Sequence, residues 1–356
     1  MRIQVHQSSD CFTGLQGAWR ELVRAAPLAT PFQTWEWHRT WFRHYGKGKR
    51  PYILTAYEGG DLIALYPLAR KGGGLWSVLR SSGTGPSDYL HPLIRPGYET
   101  PAEAAFREHL VEEARASLVD LHQLRDDLSS LSLRGENTIE QSTCLVLDLP
   151  KTFDGYLATL GKSLRYDVRR LDRPLLKQGR VTIEPVTESG IGPGFDIFFD
   201  QHKKRWRKRG LPGVFLGKAQ AFHHEWGRRA IAQGWLWLSI LRYENRPVGA
   251  LYAMTLGPTV YFYQAGFDPA HSSLSPGTLL VAQTIRRAIE EEKTAFDFLR
   301  GDEPYKRRWK PQREYRNFRK IAALAGIQGT FGARWNRMGS ELKSKVRAHL
   351  KEKGLI

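Results

Sequence analysis

YENRPVGALY, residues 243–252, decides the fold, because an earlier part of the chain nearly repeats it: YEGGDLIALY, residues 57–66. Tyr, Glu, Ala, Leu and Tyr recur at matching places. In the first copy Gly59-Gly60 parts two apolar runs, the pattern of a hairpin. A second pair follows in the same order. LVDLHQL (118–124) and AFDFLRG (295–301) are short strands with an Asp in the middle, Asp120 and Asp297. Two matches in one order predict a duplicated unit.

Around these pairs the apolar periodicity alternates between strand and helix. The first copy has helices at Leu15–Val23 and at WEWHRTWFRHYG (35–46), then the hairpin, strands at LWSVLR and DYLHPLI, a helix over 101–117, the strand 118–124 and another at 142–149. After Pro150 the order begins again. Helices are predicted at 152–178, 193–209 and 217–233, and strands at WLWLSILRY, RPVGALYAMTL and TVYFYQAGF. The helix PGTLLVAQTIRRAIEEE (276–292) opens on Pro and Gly and the strand 295–299 follows it. The reading is an α/β (α+β) chain of two similar domains, 1–150 and 151–330, each a mixed, mostly antiparallel sheet flanked by helices. A basic amphipathic helix at 331–356 ends the chain. Its stripe is Trp335, Met338, Leu342, Val346 and Leu350. Docking on the protein body is the preferred reading of that helix, and a membrane-surface anchor the alternative.

Composition narrows the function. The chain has 356 residues with 41% hydrophobic and 12% aromatic content, enough for packed cores rather than disorder. Its two cysteines, Cys11 and Cys144, suit a reducing cytoplasm and offer no metal spacing. His202, His223 and His224 lack Cys or acidic partners at ligand spacing, so no metal is expected. No apolar run at the start has signal-peptide length, and none elsewhere could span a bilayer. The reading is a cytoplasmic protein, free or held peripherally at the inner membrane surface. The net charge of +18 is concentrated in 162–180, in KKRWRKR (203–209) and beyond 300. Such a field gathers anions: coenzyme phosphates, nucleotide sugars, RNA or an anionic lipid surface.

FDFLRGDEPYKRRW (296–309) leaves a buried strand for a dense set of titratable groups. A glycine, two acids, a proline and a Tyr-Lys pair are more than a plain loop needs. The competing reading is a solvated charged loop, the usual fate of Lys and Glu, and Trp309 argues against it. Between strand and helix, SSLSPGTLL (272–280) places free backbone N–H groups and a helix dipole where a pyrophosphate would sit. Read alone, its Ser-Pro pair is equally a helix cap.

In order and spacing, PFQTWEWHRTWFRHYG, SDYLHPLI, LGKSLRYDVRRL, HKKRWRKRG, YQAGFDP, SPGTLL and FDFLRGDEPYKRRW resemble the CelD/BcsL-type acetyltransferases of the GNAT superfamily. That group is itself similar to the tandem-GNAT Fem ligases. The resemblance spans about residues 31–325. Pro174 departs from it, inside the helix after LRYDVRR, and is expected to kink or end that helix. The resemblance implies acyl transfer from a thioester or an ester to a nucleophile, and the reading taken is transfer from acetyl-CoA or another acyl-CoA, as co-substrate, to an amine or hydroxyl of a small molecule or glycan. It implies a phosphate loop at Ser275, Gly277 and Thr278. Tyr263 and Gln264 would lie beside the thioester, on a splayed strand. Lys306, with Asp302 and Tyr305, would form the catalytic corner, the lysine exposed in a cleft and stabilising the oxyanion. Arg39, Asp88, Tyr89, Arg205 and Arg209 would line a basic acceptor cleft, although each has a bland reading as a surface charge or turn. Two rivals stand beside this reading. One is a Fem-like ligase using aminoacyl-tRNA, which the charge favours. The other is a non-catalytic GNAT scaffold that binds nucleic acid or a membrane.

Overall fold

The computed structural model describes residues 1–73, 77–128, 131–171, 179–208 and 210–324. Pro174, Arg209 and the 331–356 helix lie outside the described residues. The chain packs as two units. One is Met1–Ser142 with Tyr315 onward, and the other is Thr143–Glu314. The division therefore falls at 142/143 rather than near 150, and the end of the described chain returns to unit 1.

Unit 1 contains β1 (Arg2–His6), α1 (Cys11–Ala25), α2 (Trp35–Tyr45), β2 (Lys49–Glu58), β3 (Asp61–Lys71), β4 (Val78–Ser81), β5 (Leu93–Ile94), α3 (Glu99–Glu112) and β6 (Leu118–Arg125). Most of β13 (Arg313–Ala323) belongs here too. The strand order is β1-β2-β3-β4-β6-β13, with β5 on β3. Only the β4–β6 pair is parallel. On β3, Ala64, Tyr66 and Leu68 turn to the face that packs against Ala102, Phe106 and Leu110 of α3, by the two-residue period of a strand. The α2 start is fixed by Thr34, whose hydroxyl accepts from the Trp37 N–H.

Unit 2 begins within β7 (Asn137–Asp148). It continues through α4 (Phe153–Thr159), α5 (Lys162–Leu171), β8 (Val181–Pro185), α6 (Ile191–Arg207) and α7 (Lys218–Ile231). β9 (Leu236–Tyr243), β10 (Arg246–Leu256), β11 (Thr259–Phe267), α8 (Pro276–Glu290), β12 (Ala295–Arg300) and the single turn α9 (Pro304–Arg307) complete it. The expected helix 152–178 breaks at Leu160-Gly161 into α4 and α5. The order is β8-β9-β10-β11-β12-β7. Again one pair, β11–β12, is parallel and the rest antiparallel. One face of the sheet packs Leu251, Val260 and Phe262 against Leu279, Leu280 and Ile285 of α8 and against α4 and α5. The other carries Tyr252 and Tyr263 against rings from α6 and α7. No helix of the described residues is long and apolar enough to cross a membrane.

The repeated sequences occupy equivalent places. Both hairpins, β2–β3 and β9–β10, turn within the repeated decapeptides. Both parallel ladders end at the mid-strand aspartate: Arg80 opposite Asp120, and Tyr261 opposite Asp297. These are the mixed, mostly antiparallel sheets expected of a GNAT-like duplication.

Candidate functional site in unit 2

The site is built from a ladder that stops. β11 and β12 pair through Thr259–Ala295, Val260–Phe296 and Tyr261–Asp297, and no further. β11 runs on to Phe267, so its edge beyond Tyr261 has no strand partner from β12. On its other side the register with β10 shifts: Gln264 lies opposite Tyr252 and Phe262 opposite Ala253, leaving Tyr263 as the extra residue of a bulge. A bulge re-aims backbone groups at this edge.

Two close approaches frame that edge. α8 starts against Gly249 of β10, where a Cβ would lie 3.2 Å from Pro276 and from Leu280. Gly249 pairs with Phe267, so the α8 N-terminus stands at the far end of β11. On the opposite face α6 meets Gly266, where a Cβ would lie 2.3 Å from the His202 backbone nitrogen. No side chain fits there.

At the α8 N-terminus, Ser275 takes a left-handed conformation (φ 45°, ψ 53°), unusual for a residue with a Cβ. Its hydroxyl makes no cap bond, so the plain-cap reading of Ser-Pro fails. Pro276 has no N–H, and the Leu279 N–H reaches the Ser275 carbonyl at 3.1 Å. The N–H groups of Gly277 and Thr278 are left as first-turn donors with no carbonyl inside the helix. Ser275, Gly277 and Thr278 are half-buried. A Cβ at Gly277 would meet only the Phe267 ring, at 3.8 Å.

At the other end of the edge sits the Tyr-Lys corner. The expectation for Lys306 is corrected here: it is 3% exposed, not in a cleft. Its Nζ donates to the carbonyls of Arg300 at 2.7 Å, Gly301 at 3.1 Å and Leu299 at 3.4 Å, and lies 3.0 Å from Glu303 Oε2. An ammonium has three protons, and here they converge on the C-terminal end of β12. Lys306 therefore holds this turn in shape. The turn is demanding: Leu299 has φ 55° and Gly301 φ 111°, and a Cβ on Gly301 would lie 2.4 Å from the Glu303 carboxylate. Asp297 fixes its start by accepting the Leu299 N–H at 2.7 Å. Asp302 is exposed and pairs with Arg307 at 2.6 Å, and Arg307 also pairs with Glu314 at 2.8 Å. Tyr305 is half-buried against the α8-side core, which contains the buried Trp309.

The α6–α7 face adds what sequence reasoning set aside. Tyr263 Oη lies 3.5 Å from His223 Nε2, and His223 Nδ1 lies 3.4 Å from Tyr252 Oη, a row running from the bulge into the core. Burial pushes His223 down to about 3, helped by the charge of His224, so its imidazole is neutral at neutral pH. The sequence offered no signal for this row, because its members come from β10, β11 and α7. Gln264 is half-buried on β11. Arg205 of α6 donates to the Ala265 carbonyl at 3.0 Å and lies over the Phe267 ring.

The other expected acceptor residues lie in unit 1. Arg39 is exposed on α2 beside Phe12. Asp88 and Tyr89 are buried, at 3% and 0% exposure, which corrects the expectation that they face a cleft. The Asp88 carbonyl accepts from Asn317, and Tyr89 packs on Phe32. Among the described residues no cluster of His, Cys, Asp and Glu could hold a metal ion.

Comparison with known proteins supports the fold. No curated protein matches the chain in sequence. The chain is similar in fold to a structure described as FemX, with a TM-score of 0.63 and 11% identity over 89% of this chain and 97% of that one. A C-terminal domain of a putative lysylphosphatidylglycerol synthetase from Agrobacterium fabrum gives 0.57 and 13%, over 93% and 97%. A tandem GNAT protein from the clavulanic acid biosynthesis pathway gives 0.51 and 11%, over 91% and 99%. Residues 162–307, all within unit 2, match the family model described as the acetyltransferase (GNAT) domain.

Proposed function

We propose that the protein is a cytoplasmic acyltransferase of the CelD/BcsL type, moving an acetyl or other acyl group from acyl-CoA to an amine or hydroxyl on a sugar or polysaccharide precursor. The observation that carries this reading is the stopped β11–β12 ladder beside an uncapped α8 N-terminus. A coenzyme pyrophosphate would take the Gly277 and Thr278 N–H groups, aided by the helix dipole. The pantetheine arm would pair with the open edge of β11 from Phe267 towards Tyr261. That places the thioester at the bulge, where re-aimed backbone N–H groups would meet the oxyanion. The acceptor nucleophile attacks the carbonyl carbon, the tetrahedral oxyanion collapses and the coenzyme thiolate leaves. A proton passes from nucleophile to thiolate, and Tyr263, backed by neutral His223, is the group at the bulge able to pass it on. Lys306 keeps a positioning role, Asp302 and Tyr305 belong to the turn it holds, and Arg205 fixes the β11 end.

Calorimetry with acetyl-CoA and longer acyl-CoAs tests this. Saturable binding with shallow salt dependence is expected, since few phosphates are contacted. A second reading, a Fem-like ligase fed by aminoacyl-tRNA, is favoured by the likeness to FemX and by the +18 charge. No heat with any acyl-CoA, together with tRNA binding at physiological salt that depends on the aminoacyl group, would replace the first reading with the second.

A further inference from the structure

Among the described residues, the corner between α6 and α7 combines free cations with outward apolar side chains. The last turns of α6 sort their cations by direction. Arg205 turns inward to the Ala265 carbonyl, and Lys204 is held by Asp200 at 3.0 Å and Asp268 at 3.3 Å. Lys203, Arg207 and Lys208 are exposed and make no ion pair among the described residues. The loop that follows, LPGVFLG (211–217), is pinned at its centre. Phe215 is 6% exposed and packs on Phe198, Phe199, His202 and His223 at ring distances of 4.7–5.4 Å. Gly213 (φ 82°) and Gly217 (φ 48°) let the backbone turn on either side of it. With Phe215 anchored, its two neighbours are thrown outward: Val214 is 62% exposed and Leu216 52%. Among the described residues the other exposed large apolar side chains, Met1, Leu28, Val111 and Tyr166, lie apart from one another along the chain.

We propose that this corner docks the protein on an anionic phospholipid surface, with Val214 and Leu216 entering the acyl boundary and Lys203, Arg207 and Lys208 resting on the headgroups. Charge complementarity selects the occupant. Three unpaired cations suit any polyanion, but two aliphatic side chains fixed beside them gain nothing from the phosphates of a nucleic acid, which rewards aromatic stacking instead. They gain from the apolar region beneath a headgroup layer, the usual combination of an interfacial element. The inference stands apart from the donor chemistry, because it uses no residue of the β11 edge, the α8 N-terminus or the Tyr-Lys corner.

The test is co-sedimentation of the full chain with vesicles of phosphatidylcholine, with and without phosphatidylglycerol, across a salt series, beside filter binding to a single-stranded RNA. Binding that requires phosphatidylglycerol and weakens with salt is expected. Val214→Ser with Leu216→Ser should lower vesicle binding about tenfold or more and leave RNA binding and melting temperature unchanged. Lys203→Glu, Arg207→Glu and Lys208→Glu together should abolish the preference for phosphatidylglycerol. Absence of phosphatidylglycerol-dependent binding overturns the proposal. So does equal vesicle binding by the parent protein and the double serine variant, which would move the contact elsewhere on the chain. Charge reversal that weakens only RNA binding would make the corner a nucleic-acid face instead.

Discussion

Lys306→Met separates an exposed catalytic lysine from a buried clamp. Methionine keeps the volume and the apolar stem but removes the ammonium. The Leu299, Arg300 and Gly301 carbonyls then lose their shared donor, and Glu303 loses its cation. Removing one partner of a buried charged set costs about 3–5 kcal/mol. The Glu303 side chain is 44% exposed and can be rehydrated, as can two of the three carbonyls. The lower end applies, about 3 kcal/mol. For a unit of this size that is a drop of about 6–12 °C in melting temperature. Urea denaturation followed by tryptophan fluorescence would read it, beside Glu303→Gln, which leaves the carbonyl bonds intact and should cost less than about 1 kcal/mol. An exposed lysine would leave the midpoint unchanged. A loss below about 0.5 kcal/mol would refute the clamp and return Lys306 to the solvent side of the site.

Gly277→Val should leave the melting temperature nearly unchanged, because its Cβ meets only the Phe267 ring at 3.8 Å. It should weaken acyl-CoA binding about tenfold or more, and calorimetric affinity equal to the parent's would remove the α8 N-terminus from the donor site. Asp120→Asn should cost about 3–5 kcal/mol, seen in urea melts, since Arg319 (2.6 Å), Arg80 (2.7 Å) and His122 (3.0 Å) converge on that carboxylate. Stability should fall as pH drops below about 6.5. Burial holds His38, His91, His202 and His223 each down to about 3. The unfolded chain therefore binds more protons in that window, and each histidine removes about 1.4 kcal/mol per pH unit. Urea midpoints that do not move between pH 7.5 and 5.5 would contradict this, the two pH values lying on about either side of the ordinary histidine value.

Much of the architecture is legible because its apolar residues alternate cleanly. The two hairpins, α2, α6, α7 and α8, and the β11–β12 pair stand where the periodicity puts them. β13 was hidden for a physical reason. REYRNFRKIAA is dense in charge, yet Asn317 (0%), Arg319 (9%) and Ile321 (1%) are buried, two of them polar and bonded to distant partners in unit 1. A strand that buries polar side chains carries no two-residue apolar signal. The site was half legible for the same reason. Gly277 and Thr278 could be placed because a helix start is a local event. The burial of Lys306 depends on three carbonyls of the turn before it, and the Tyr263–His223–Tyr252 row on three separate elements, which no local spacing encodes.

The two units also show how a duplicated scaffold comes to differ. Both sheets have one parallel pair flanked by antiparallel ones, and both parallel ladders end at an aspartate. In unit 1 Asp120 is consumed by charge. Burial alone would raise its carboxyl, but hydrogen bonds from His122 and Arg319 and the charge of Arg80 hold it well below the usual carboxylate range. Arg319 comes from β13, so a strand from the far end of the described chain helps to fill the place where the unit 1 ladder opens. In unit 2 the strand beside β12 is β7, and Asp297 accepts from the backbone N–H of its own turn. The same β-sheet interruption is thus tied down by two arginines and a histidine in one unit, and in the other lies beside a bulged strand edge and an uncapped helix. If a ladder must be left open to admit an acyl donor, the sheet chemistry favours unit 2, the unit that the GNAT family model matches.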